Sequence, residues 1–303
     1  MSVSDLLNKR LILVSGKGGV GKTLLASCLA YKASLVGKKV CLVQSSAQDQ
    51  VGPLFGQPPR QHELVNYGLR LNGINLEPEL NFRDFIVLHL GFEAIFEKVF
   101  TSNIVRSFIN MMPGIAELTL LGRLVYYLEQ EKEHQFDLVI LDGFASGHFL
   151  SLLATPDAIL EAGLVGPIIQ ETRRVKALLE DPSRTGFAVV CQPEPLIVSE
   201  TKEFVGKILE KYPNHLVSLF INRLLPKLPD GESLDHLGSL KERVSQASVR
   251  ANASAFDLSD YVDSVSSTVN LEGLPDLGVI HEPIDLAEVP KWFEYGQAWS
   301  SSI

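Results

Sequence analysis

Short runs that are apolar at nearly every position alternate along this chain with longer stretches of helical period. The runs are 10–15 (RLILVS), 39–44 (KVCLVQ), 136–142 (FDLVILD), 187–192 (FAVVCQ) and 216–222 (LVSLFIN). A strand that is apolar on both faces needs cover on both faces, the situation of a parallel strand lying between helices. Residues 22–35, 170–179, 199–211 and 237–244 carry the 3.6-residue period and supply the crossovers that parallel pairing requires. The pattern predicts an α/β fold: an open, doubly wound, mostly parallel sheet.

Between the second and third runs the texture changes. Residues 84–100 place Phe85, Leu88, His89, Phe92, Ile95, Phe96, Val99 and Phe100 on one helix face. A second helix is expected at 104–111, and a third at 118–133 after the break at Pro113-Gly114. Residues 57–133 therefore read as a helical insertion within a single domain spanning 1–303. Its Phe-rich face reads as core, packed on the sheet or on sister helices, with a groove for a protein client as the alternative. Residues 227–233 (KLPDGES) read as a turn, and the Ser-, Ala- and Asp-rich stretch 245–267 as a mobile or interacting segment.

Composition narrows the function classes. A chain of 303 residues with 46% hydrophobic content can bury a large core. Its net charge of −9, with no run of Lys and Arg, argues against a nucleic-acid surface. No uninterrupted apolar stretch is long enough to cross a bilayer, and the first residues, Met1 to Asp5, lack an apolar signal core. The expectation is a soluble cytoplasmic protein with no direct membrane insertion. Cys28, Cys41 and Cys191 show no Cys-x-x-Cys spacing and read as small buried hydrophobes.

The chemistry begins where the first strand ends. Gly16-Lys17-Gly18-Gly19-Val20-Gly21-Lys22-Thr23, followed by Leu24, satisfies G-x-x-x-x-G-K-[ST] between a strand and a helix. Glycines admit backbone N–H groups to phosphate oxygens, and the helix N-terminus adds positive character. In this reading the ligand is ATP with Mg²⁺. Lys22 neutralises the β- and γ-phosphates and the Thr23 hydroxyl meets the metal.

Lys17 is a second lysine directly after the first glycine. With it, the loop resembles the deviant phosphate loop of Min/Par partitioning ATPases, nitrogenase iron proteins and arsenite-pump-type ATPases. Further segments point to one branch. Asp142-Gly143-Phe144-Ala145-Ser146-Gly147-His148, leading into Leu150-Ser151-Leu152-Leu153, is similar to the second switch of the arsenite-pump and tail-anchored-protein-targeting ATPases, Asp-x-x-x-[ST]-Gly-His. Pro113-Gly114-Ile115-Ala116-Glu117 resembles their Pro-Gly-x-x-Glu element. Asp181-Pro182-Ser183-Arg184-Thr185, with Pro193-Glu194 and Glu200-Thr201, resembles their nucleotide-proximal strand and helix.

The resemblance implies a nucleotide-switched sandwich dimer, homo- or heteromeric with a related ATPase, in which Lys17 reaches the partner's nucleotide. It implies that Asp142 holds Mg²⁺ through water, that the Asn222 amide reads adenine, and that Pro193 lines the adenine pocket. It also raises the expectation of a protein client. The departures matter equally. The family's first switch reads Ser-Thr-Asp-Pro-Ala-His, its aspartate orienting the attacking water. Here Gln44-Ser45-Ser46-Ala47-Gln48-Asp49-Gln50 puts Ser46 at that aspartate. A hydroxyl cannot take the water's proton as a carboxylate does, so slow or absent hydrolysis is expected unless Asp49 reaches in as the catalytic carboxylate. In the second switch Gly143-Phe144-Ala145 replaces Thr-Ala-Pro. The zinc-binding Cys-x-x-Cys, the Met-rich client groove and the metalloid-sensing cysteines of the branches have no counterpart. Three functions stay open: a slow Mg-ATPase switch, a non-hydrolysing ATP-binding partner of an active paralogue, and a Min-type membrane-positioning ATPase. The last is disfavoured because the tail, 288–303, lacks a cationic amphipathic face.

Overall fold

The computed structural model describes residues 3–90, 114–130, 135–163, 166–224, 254, 257, 261 and 269–275. Among them an eight-stranded sheet forms the centre, in the order β3-β4-β2-β5-β1-β6-β7-β8. The strands are β1 Leu11–Gly16, β2 Val40–Gln44, β3 Val65–Gly68, β4 Leu71–Asn75, β5 Leu138–Ala145, β6 Thr185–Cys191, β7 Leu216–Leu224 and β8 Val269–Pro275. Every pairing is parallel except β3 with β4. The sheet is that of a P-loop NTPase-like α/β fold, as the two-faced apolar runs predict.

Those runs are buried on both faces for a visible reason. Along β1, Leu11 and Leu13 belong to one core, and Ile12 and Val14 to another on the opposite side. The second core is closed by α1 Val3–Leu7, α2 Lys22–Leu35 and α3 Val51–Leu54. The first is closed by α5 Ile115–Val125, α6 Ser146–Glu161, α7 Pro167–Glu180 and α8 Pro195–Lys211, with α4 Pro78–Leu90 packing on α5. Phe149 on α6 meets Phe187 on β6 and Phe204 on α8 edge-on, at 6.3 and 5.8 Å between ring centroids. Such pairs add about 0.5–1.5 kcal/mol each beyond their buried area and stiffen the layer that carries α6.

Two expectations change. Residues 57–133 are not helical throughout: β3 and β4 lie within them and extend the sheet past β2. The β3 strand alternates half-buried and exposed positions at the sheet edge, a weak apolar signal for so short an element. The helix expected from residue 84 begins at Pro78, where the proline suits a first turn, and its Phe82 and Phe85 are buried. Phe85 packs beside Gly122 of α5, so this part of the Phe-rich face is interior. The expected third helix runs Ile115–Val125 and continues as a π-helical turn, Tyr126–Gln130. All of 91–113, with the helix expected at 104–111, the turn expected at 227–233, the helix expected at 237–244, most of 245–267 and the tail 288–303 lie outside the described residues. No helix among the described residues is long and apolar enough to cross a membrane.

Candidate phosphate-binding site

Parallel strands bring their carboxyl ends to one edge of the sheet, where open α/β sheets hold their ligands. Register does this residue by residue: Gly16 lies beside Val190, Val14 beside Asp142, Asp142 beside Gln44, and Cys191 beside Ile221. The ends of β1, β2, β5, β6 and β7 therefore surround one loop, Gly16 to Gly21, which opens α2 at Lys22.

The shape of that loop rests on two glycines. Gly16 has φ 148°, and a Cβ there would lie 2.3 Å from the Val190 carbonyl oxygen. Gly21 has φ 102°, and a Cβ would lie 2.3 Å from Nδ2 of Asn222. Both conformations are ones that L side chains adopt rarely. Val20 between them is buried and anchors the loop in the core. Gly18 and Gly19 have nothing within 4 Å of a Cβ position and face open space. Leu24, half-buried, packs its side chain on the core, which leaves its backbone at the helix N-terminus as the part able to meet a phosphate.

Two neighbours, one expected in another role and one unexpected, hold the loop from outside. Asn222 Nδ2 donates to the Val20 carbonyl at 2.9 Å, and its Oδ1 accepts from the Arg223 N–H at 2.9 Å. The amide expected to face adenine is thus engaged at both ends by backbone. Gln192, at the end of β6, donates from Nε2 to the Gly19 carbonyl at 3.2 Å. Nothing local in the sequence marks Gln192; only the pairing of β6 with β1 brings it there. Pro193 follows it, half-buried, in the turn that leads to α8.

Charge is concentrated beside the loop. The Lys22 ammonium bends back over it and donates to the Lys17 carbonyl at 3.0 Å. Burial lowers its pKa, a shift that nearby Asp142 opposes. Thr23 Oγ1 donates to Asp142 Oδ2 at 2.7 Å. Burial pushes the Asp142 carboxyl up from 3.8 to about 6, against the opposing hydrogen bond of Thr23, the charge of Lys22 and the amide of Gln44. Its other oxygen, Oδ1, is buried and has no hydrogen-bond partner. A buried, unpartnered carboxylate oxygen beside a hydroxyl fits a hard divalent cation, which takes oxygen ligands.

The first switch, following β2, is tightly held. Ser46 accepts at its carbonyl from Asn75 Nδ2 at 3.0 Å and donates its N–H to Asn75 Oδ1 at 2.9 Å. Its hydroxyl donates to the Gln48 carbonyl at 2.6 Å. Both carboxylate oxygens of Asp49, the residue expected as a substitute carboxylate, are engaged by backbone N–H groups. Its Oδ1 accepts from the N–H groups of Val51 and Gly52, at 2.9 and 3.0 Å, and its Oδ2 from the Arg60 N–H at 3.0 Å. An Asp placed just before a short helix, as here, is a typical side-chain partner for its first N–H groups.

The second switch closes the site on the other side. Ser15 Oγ donates to the Phe144 carbonyl at 2.9 Å. Phe144 stacks on His148 at 4.1 Å, and His148 Nε2 meets Glu117 Oε1 at 3.0 Å. The fold thus joins the Asp-x-x-x-Ser-Gly-His segment to the Pro-Gly-x-x-Glu element. Lys17 lies at the rim, and its ammonium is ion-paired with Glu200 of α8 at 2.8 Å.

The chain is similar to proteins of one ATPase family. A family model described as anion-transporting ATPase matches residues 9–165 and 165–257. A putative arsenical pump-driving ATPase 2 of Aquifex aeolicus is 28% identical over 258 residues, covering 74% of this chain and 83% of the relative. ATPase BagA of Mycobacterium tuberculosis is 25% identical over 232 residues, covering 74% of this chain and 67% of the relative. ATPase ASNA1 homolog 2 of Paramecium tetraurelia is 25% identical over 259 residues, covering 73% and 77%. With its nearly parallel sheet, its glycine-rich loop at the end of β1 and a family match across most of its length, the chain belongs to the anion-transporting ATPase family of the arsenite-pump type.

Proposed function

We propose that this protein is an ATP-binding switch that holds ATP with Mg²⁺ and hydrolyses it slowly at most. The observation that carries the reading is the hydrogen bond of part-buried Thr23 to buried Asp142 beside Lys22, with Asp142 Oδ1 left for a cation. In this reading Gly16 to Leu24 offer backbone N–H groups to the phosphates, Lys22 exchanges the Lys17 carbonyl for phosphate oxygens, and Thr23 and Asp142 hold the metal. The cation, when bound, supplies charge neutralisation between the terminal phosphates. Asn222 serves the nucleotide by holding Val20 and Gly21 in place, and Pro193 borders the same rim.

Slow hydrolysis follows from the first switch. Ser46 has no carboxylate, and both oxygens of Asp49 are held by backbone N–H groups. An Asp49 released to act as base would forfeit three hydrogen bonds to a charged acceptor, each worth about 1.5–3 kcal/mol. A non-hydrolysing partner that completes the site of a related ATPase is the second reading, supported by the same engagement of Asp49.

The dimer part of the proposal rests on Lys17. Its pair with Glu200 is about two-fifths exposed on each side, 39% and 45%. Exposed pairs are worth about 0–1 kcal/mol, so Glu200 releases Lys17 readily to a triphosphate across an interface. Light scattering in ATP with Mg²⁺ is expected to show twice the mass found in ATP with EDTA, and Lys17→Ala to remain at the lower mass. A mass that is the same in every nucleotide state rules out the homodimer. Lys22→Ala is expected to weaken binding of a fluorescent ATP analogue by about 3 kcal/mol, roughly a hundredfold, because it leaves phosphate charge unpaired.

A further inference from the structure

We propose that Gln44 is a positioning residue that ties cation occupancy at Asp142 to the loop 45–50, an inference resting on the magnesium–nucleotide reading of the site. Gln44 is the last residue of β2, is buried, and lies directly beside Asp142 in the β2–β5 register. Its Oε1 accepts from the Gln50 N–H at 3.1 Å. That bond fixes which way the carboxamide points, because a backbone N–H faces an oxygen and not an amide nitrogen. Nε2 is then the atom turned to Asp142 Oδ2, a long contact of 3.5 Å.

Two consequences follow. Thr23 and Gln44 both donate to Oδ2, so the pair rotates the carboxylate until Oδ1 is the oxygen without a partner. Gln44 thereby helps to choose which oxygen meets the cation. The second consequence is mechanical. A displacement of the carboxylate toward a cation is carried through one side chain to the Gln50 N–H, immediately before α3. Ser46, four residues earlier, is clamped by Asn75, which belongs to β4 and not to the metal site. Gln44 is accordingly the direct link between the first switch and Asp142, and a shorter side chain could not span both partners.

The test is an Mg²⁺ titration at fixed fluorescent ATP analogue, with hydrogen exchange at the Gln50 amide followed in the same samples. Gln44→Ala is compared with Gln44→Met, which keeps most of the volume, and thermal unfolding checks that each variant is folded. Loss of an outer-shell partner is expected to weaken apparent Mg²⁺ affinity about tenfold or more in both variants, with analogue binding in EDTA within about twofold of wild type. Wild type is expected to change its Gln50 exchange on Mg²⁺ addition, and the variants to lose that change. An unaltered Mg²⁺ midpoint in Gln44→Met, or an equal loss of binding in EDTA, overturns the inference. If wild type itself binds the analogue equally with Mg²⁺ and EDTA, the metal-site reading fails and the inference with it.

Discussion

Replacing Asp142 by asparagine is expected to stabilise the metal-free protein while removing the Mg²⁺ dependence of nucleotide binding. The carboxyl is nearly fully buried and its pKa is raised from 3.8 to about 6, with desolvation as the largest cause. At neutral pH the folded state therefore holds an ionised group that the unfolded state solvates better. The sign follows from proton uptake. Between the two pKa values the folded state binds the proton and the unfolded state does not, so this group's contribution to stability improves as pH falls through 6 toward 4. A shift of that size corresponds to about 3 kcal/mol at neutral pH, less what the new amide loses by pointing a donor at the unpartnered Oδ1 position. A gain of about 1–3 kcal/mol is expected at pH 7.5, shrinking toward zero near pH 4, measured by urea unfolding in EDTA. Buried His215, whose pKa burial lowers, acts in the opposite direction: the unfolded state takes its proton first, and stability falls as pH drops through 6.5. It is common to both proteins and cancels in the difference. A destabilised Asp142→Asn, or a gain that does not change with pH, would contradict the assignment of a desolvated carboxylate kept for a cation.

The second large effect is structural and separates two glycines of one loop. Gly16→Ala places a Cβ 2.3 Å from the carbonyl oxygen of Val190, backbone of the adjacent central strand, at φ 148°. Neither side can yield without breaking the sheet. Backbone strain of about 1–3 kcal/mol adds to the clash, and a total above about 4 kcal/mol is expected. For a chain of this size that corresponds to a Tm lower by roughly 6 °C or more. Gly18→Ala meets nothing within 4 Å and is expected to leave Tm nearly unchanged, while its methyl group crowds the space in front of the loop and weakens ATP-analogue binding. Calorimetry of the two variants side by side checks the pair; equal destabilisation would mean that the loop is shaped differently.

The α/β frame was legible because parallel strands buried on both faces leave unbroken apolar runs; β1, β2, β5, β6 and β7 all register within a few residues of where such runs lie. The phosphate loop was legible because its chemistry is local, a glycine-rich turn ending in Gly-Lys-Thr at a helix start. The β3–β4 hairpin was not, since β3 is a four-residue edge strand with only partial burial. The partners of the loop were also hidden. Asn222, Gln192 and Glu200 reach it, and Gln44 reaches Asp142, through strand register and helix placement, which no run of neighbouring residues encodes. Asp49 shows the converse: Asp-Gln-Val-Gly-Pro carries a recognisable turn signature, and that local role occupies the carboxylate. Family pattern located Ser46 and Asp142 but said nothing of Asn75, whose two bonds fix Ser46 in place.

Hydrolysis separates a slow switch from an active ATPase most directly. Single-turnover conversion of ATP with Mg²⁺ is measured for wild type, Lys22→Ala and Ser46→Asp, with nucleotide binding established for each beforehand. Wild type is expected to bind ATP firmly yet turn it over little faster than Lys22→Ala, and Ser46→Asp to raise the rate about tenfold or more by restoring a carboxylate acceptor. A wild-type rate far above that of Lys22→Ala, with no further gain in Ser46→Asp, would contradict the account.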